Sequence, residues 1–189
     1  MTNGVFSEFE LQEMGIKFNS SETYQAANCV GSCEEEMEVK VISKSCRGVV
    51  FKETVKGTGK GTLKLSMHVP YEIYTKAYGM QLDTLIEGVK AYGQNSRHEA
   101  FSITQHVYDE DGVEMFKAYP NCIIKTGKAN KIENGAEEVA EIELEVSVMP
   151  DEYGNGVYSV IADDLKDETV KSTWMTAFVP SMVQKVPEA

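Results

Sequence analysis

Positive charge is scarce in this chain. Of its 189 residues, 18 are Lys or Arg against 30 Asp or Glu, a net charge of −12, and only Arg47 and Arg97 supply guanidinium groups. Ordinary DNA or RNA binding neutralises phosphates with Lys and Arg, so the balance argues against that class and against anionic membrane surfaces. Long apolar runs are also missing. None approaches the ~20 residues of a membrane span, and the start MTNGVFSEFE has neither a basic stretch nor an apolar signal core. The expected place of synthesis and work is therefore a cytoplasm, where Cys29, Cys33, Cys46 and Cys122 are expected to remain free thiols. No internal repeat, low-complexity tract or composition break divides the chain. One domain spanning 1–189 is expected, long enough for a real core.

What the chain does have is alternation. From Glu137 to Ile161 it reads EEVAEIELEVSVMPDEYGNGVYSVI. Ile142, Leu144, Val146 and Val148 make an apolar row, and Glu141, Glu143 and Glu145 an acidic one. Residues of one parity share one strand face. The Gly-rich turn and the return through Val157–Ile161 predict a long β-hairpin with one carboxylate-coated face. The plain reading of that face is the solvated side of an antiparallel sheet. Rows of like charge repel, however, and a strand coated this way is a field rather than a catalytic pair.

Similar alternation predicts strands at Glu38–Ile42, Gly48–Val55, Leu63–Val69, Ala100–Tyr108 and Val113–Ile124. Asp109–Gly112 (DEDG) reads as a hairpin turn. Lys56–Gly61 (KGTGKG) reads as a mobile loop between strands. Pro70 followed by YEIYTKAYGM changes the period and predicts one short helix, with Pro suited to the first turn and Gly79 to the stop. Residues 1–35 read as an N-terminal arm or loop region, and Asp163–Lys171 as a short helix or loop. TWMTAFV (Thr173–Val179) reads as a last strand stopped by Pro180, and 173–189 as a possible C-terminal arm.

Motifs for chemistry fail individually. A phosphate-binding P-loop would need Gly in place of Thr54 and Ser or Thr in place of Gly61. Cys29, Cys33 and Cys46 contain one close pair, whereas structural zinc sites usually have two. His68, His98 and His106 are scattered, with no nucleophile signature beside them, and read as surface residues. No catalytic residue, metal or cofactor is assigned, and the chain is read as no enzyme. The rival reading is a zinc-binding or hydrolytic β-domain built on Cys29, Cys33, Cys46 and histidines.

The order of elements resembles the major tail tube proteins of long-tailed (siphovirus-type) bacteriophages of Gram-positive bacteria. The likeness lies in a strand followed by PYEIYTKAYGM, then Ala91-Tyr92-Gly93. After it come a strand ending in DEDG, FKAYPNCIIKTGKA, and the acidic segment closing on DEYGNGVYSV. It covers roughly residues 60–165. The resemblance implies a mainly β fold, an antiparallel sandwich or barrel-like domain flanked by one short α-helix. It further implies six-membered rings stacked into a tube in the virion tail, assembled in the host cytoplasm. The partners would be other copies of itself and tape measure, terminator and distal tail proteins. Phage DNA would pass without specific binding through an acidic lumen, with no membrane binding. On that reading Glu141, Glu143 and Glu145 are lumen candidates, and Lys56, Lys60, Trp174 and Phe178 are ring-stacking candidates. A tail terminator or a secretion-system tube subunit is the neighbouring alternative.

Overall fold

The structure is a computed structural model describing residues 6–132, 134–135 and 137–185. It contains strands β1 (Glu10–Phe18), β2 (Gln25–Ala26), β3 (Val30–Cys46) and β4 (Val49–Met67), then helix α1 (Tyr71–Ala77). Strands β5 (Phe101–Tyr108), β6 (Glu114–Ile124), β7 (Ile142–Val148) and β8 (Tyr158–Ile161) follow. Helix α2 (Glu168–Ala177) and a 3-10 turn at Pro180–Val183 complete the described elements. The fold is mainly β and antiparallel, as expected, and the segment read as a short helix or loop contributes the first turn of a second helix that runs on to Ala177.

The strands run in the order β2-β1-β5-β6-β7-β4-β3, and β8 also pairs with β6. Strand β6 therefore serves two partners. Met115–Ala118 pair with β8, and Cys122–Ile124 pair with β7. Pro120 sits at the change of partner, where a missing N–H removes no needed ladder bond, and the β5–β6 register shifts there as well. The two halves of the sheet close on one another over Met14, Ile16, Phe18, Leu63, Leu65, Ile103, Tyr119, Leu144 and Val146. Alternation is the cause: Leu63, Leu65 and Met67 are buried, while Lys64 between them is exposed. Helix α1 packs Ile73, Tyr74 and Ala77 against this core. It stops at Gly79, whose φ of +60° and closeness to the Arg97 carbonyl exclude a side chain.

Three expectations are corrected. First, β7 and β8 form no hairpin with each other, because the Asp151–Gly156 turn carries the chain across from one half of the sheet to the other. Second, Lys56–Gly61 is no loop but part of the 19-residue strand β4. Its three glycines serve a bulge: β3 advances from Met37 to Val39 while β4 advances from Gly61 to Gly57. Gly59 has φ +74°, and a Cβ there would meet the Gly154 carbonyl oxygen at 2.6 Å. Third, Thr173–Val179 is not a strand. Asp167 caps α2 by accepting from the backbone N–H groups of Thr169 (2.9 Å) and Val170 (3.2 Å). The helix then docks Val170 and Trp174 on Phe116, Ala118 and Ala162 as a second core. The N-terminal region is also more ordered than its sequence pattern suggests, since β1 pairs along β5 from Glu10 to Phe18.

Candidate interaction surfaces

The acidic row lies on the outer face of three adjacent strands. Its parity is as expected: Leu144, Val146 and Val148 are buried and Glu143 is exposed. Pairing β7 with β4 and β4 with β3 adds two carboxylates that the sequence reading passed over, Glu34 and Glu36. Their signal was the EEEME run, and only the register of β3 against β4 brings them beside β7. Two lysines interrupt the face. Lys64 pairs with Glu34 at 3.5 Å, and Lys125 with Glu145 at 2.9 Å. Ser66 Oγ donates to Glu141 at 2.6 Å. Five carboxylates thus share a face with two ammonium groups, around an open cleft of about 500 Å³ lined by Glu34, Lys64, Ser66, Glu143 and Glu145.

The intervening residue Glu35 points the other way. Its carboxylate accepts from the Tyr119 hydroxyl and meets Lys117 Nζ at 2.6 Å, and Glu8 meets the same ammonium at 2.8 Å. Lys117 keeps 7% of its side chain exposed. Burial works to lower its pKa, but hydrogen bonds and charge from Glu35 and Glu8 outweigh it and hold Lys117 above the ordinary lysine value. Burial, then the Glu35 charge, push Tyr119 upward as well. The cluster ties the N-terminal segment, β3 and β6 together.

Beyond this anchor β3 and β4 leave the body as an arm. From Glu38 to Lys60 every residue except Thr58 and Gly59 is exposed, and the paired rows reach about 35 Å at ~3.4 Å per residue. The tip turns on Arg47 (φ +50°) and Gly48 (φ +79°), the positive pair that a two-residue hairpin turn requires. Val39, Val41, Val55 and Phe51 are each at least half exposed. Register places Val41 opposite Val55 on one face, and Lys40 opposite Lys56 and Lys44 opposite Lys52 on the other. Among the described residues, the outer edges of both arm strands pair with nothing.

The four expected stacking residues therefore separate. Lys56 and Lys60 are exposed on the arm. Trp174 and Phe178 are each 2% exposed and pack on each other at a ring separation of 4.7 Å, so they serve the subunit's own core rather than a surface. The residues of the zinc reading do not converge. Cys46 lies at the arm tip, Cys29 and Cys33 at the body end of β3, and no group of three potential ligands forms among the described residues. His106 is not a surface residue either. Its ring lies between Tyr108 and Phe116, and its Nε2 is 3.5 Å from Glu114.

No family model matches this chain, and no curated protein matches it. Among solved structures it is similar to the tube terminating cap of the anti-feeding prophage. That match has 11% identity and a TM-score of 0.46, covering 85% of this chain and 99% of the other. It is similar also to a chain of the sheath-tube complex of an extracellular contractile injection system in its extended state. There the identity is 11% and the TM-score 0.46, with 85% and 94% covered. A chain of the anti-feeding prophage baseplate matches at 9% identity and a TM-score of 0.42, with 85% and 97% covered.

Proposed function

We propose that this protein is a structural subunit of a tail tube, assembling with itself into rings, hexameric in the resembled family, that stack around a DNA-conducting bore. The observation that carries the reading is the arm. An isolated two-stranded ribbon is marginal in water, and one with open edges and an exposed apolar face is an aggregation hazard unless another chain covers it. Such an arm fits a protein whose working state is an assembly. The resemblance of residues 60–165 to siphovirus-type tail tube proteins names that assembly.

The acidic face of β3, β4 and β7 suits a bore. A lumen rich in Lys would bind phosphates in a salt-dependent way and hold the duplex. A face of five carboxylates and two lysines repels it weakly and evenly. Glu36 and Glu143 are the exposed members free of the internal contacts that hold Glu34, Glu141 and Glu145, and they are the strongest lumen assignments. On this reading Lys56 and Lys60 reach a neighbouring copy, and Cys29, Cys33 and Cys46 have no metal to hold. Tape measure, terminator and distal tail proteins would be the other partners, within a virion tail.

Negative-stain microscopy of concentrated protein, alone and with a tail-initiation complex, tests the reading. Rings or tubes of uniform diameter are expected. A monomer under both conditions at every concentration would overturn it.

A further inference from the structure

We infer that the arm of one copy seats its lysine face on the acidic end of the β1-β5-β6-β8 layer of a second copy. The inference rests on the assembly reading above and names the surface that receives the arm. The chain's charge is divided unevenly. Residues 38–60 hold six of the 18 basic residues but two of the 30 acidic ones, so the arm carries +4 and the remainder of a −12 chain carries −16. On the arm, Lys40 faces Lys56 and Lys44 faces Lys52 in register. Like charges directly opposite one another destabilise a ribbon. A negative partner would relieve the repulsion among these four ammonium groups.

The far end of the body supplies that partner. Register sets Glu10 of β1 against Tyr108 of β5, and Tyr108 against Glu114 of β6. The Ala162 N–H bonds to the Glu114 carbonyl, which brings Asp163 and Asp164 alongside. The turn between β5 and β6 adds Glu110 and Asp111. Glu10, Glu110, Asp111, Asp163 and Asp164 are all exposed, and among the described residues none is ion-paired. Burial, and after it the charges of Glu114, Glu13 and Glu10, hold the Tyr108 hydroxyl above its ordinary value. Phe9, 75% exposed, and a cleft of about 350 Å³ lined by Leu11, Val30 and Val107 lie toward the reverse face of the same strands and are not part of this seat. The acidic face of β3, β4 and β7 fits less well, because Lys64 and Lys125 already answer part of its charge. Arm and seat are different surfaces, so the contact is head-to-tail and propagates into rings or filaments.

A charge-exchange experiment tests this. Lys44→Glu with Lys56→Glu replaces one member of each opposed pair, which removes repulsion within the subunit. Its melting temperature is therefore expected to hold or rise. Glu110→Lys with Asp163→Lys reverses two exposed charges on the seat. By light scattering, each variant alone should need at least about tenfold more protein to assemble than the parent, since charge reversal across a contact is strongly unfavourable. Mixing the two variants should restore assembly, because each supplies the surface complementary to the other. Failure of the mixture to recover, or parent-like assembly by either variant, overturns the seat. If an arm-deleted chain fails to assemble while both charge variants succeed, the arm binds a copy elsewhere and the tube reading stands. If no form of the parent assembles, the tube reading falls first. Arm-dependent binding of a labelled DNA duplex, untouched by the seat variant, would replace the second copy with nucleic acid and refute the proposal.

Discussion

Replacing Trp174 by Ala decides whether the C-terminal segment is part of the subunit's fold or an arm spent on a neighbour. Trp174 is 2% exposed, lies 4.7 Å from the Phe178 ring and 6.1 Å from that of Phe116, and donates its Nε1–H to the Lys117 carbonyl at 3.2 Å. Truncating a buried Trp removes its transfer energy and leaves a cavity, together about 3–5 kcal/mol. For a chain of this size each kcal/mol lowers the melting temperature by roughly 2–4 °C, so a fall of roughly 6–20 °C is expected. Trp174→Phe keeps most of the apolar volume and gives up the hydrogen bond, which contributes about 1 kcal/mol, so its loss should be a few degrees. Calorimetry on dilute, unassembled protein separates this from any effect on association. A fall of under about 1 kcal/mol in Trp174→Ala, with assembly lost, would refute the core placement and return Trp174 to a contact between copies.

Deleting Val39–Gly57 and closing β3 to β4 with a short turn should leave melting near the parent value, because the arm packs on no core residue. The same deletion should abolish assembly by sizing chromatography. Glu36→Lys with Glu143→Lys should spare tube formation but slow DNA delivery from variant tails, with recovery at higher salt; normal delivery would remove these residues from the bore. Gly156→Ala should lower stability and disorient the arm, because its new Cβ would run into the Gly59 backbone; parent-like melting and assembly would count against that crossing as the arm's anchor. Alkaline pH should destabilise the fold. Burial holds Tyr74 up at about 12 and raises Tyr119 as well, and the Glu35 and Glu8 carboxylates overcome burial to raise Lys117. Groups with raised folded values contribute stability that is intact below their unfolded values near ~10 and is lost as pH climbs through the folded ones. Denaturant melts from pH 9 to 12 should show this decline, and Tyr119→Phe should flatten it.

The sequence by itself determined which side of β7 and of the body half of β4 faces inward. Leu63, Leu65 and Met67, and Leu144, Val146 and Val148, could be assigned because the two-residue period is a property of the backbone. Pro70 and Gly79 bounded α1 for the same local reason, and Asp109–Gly112 made the turn. Partners were another matter. A short Gly-rich link between β7 and β8 read as a hairpin, yet β6 takes both strands, and that choice rests on contacts between residues far apart in the chain. KGTGKG read as a loop because glycine usually marks one. Here the glycines admit Gly154 and Met37 against a bulged strand, which only the crossing of distant segments requires. TWMTAFV carries side chains that favour strands, but the Asp167 cap and the Phe116–Ala118 surface made it a helix. The acidic row was legible from Glu141 to Glu145. Its continuation through Glu34 and Glu36, the opposed lysines of the arm and the carboxylates gathered around Tyr108 were set by register between strands. Register is long-range, because it is fixed by the summed packing of whole strands rather than by any local spacing.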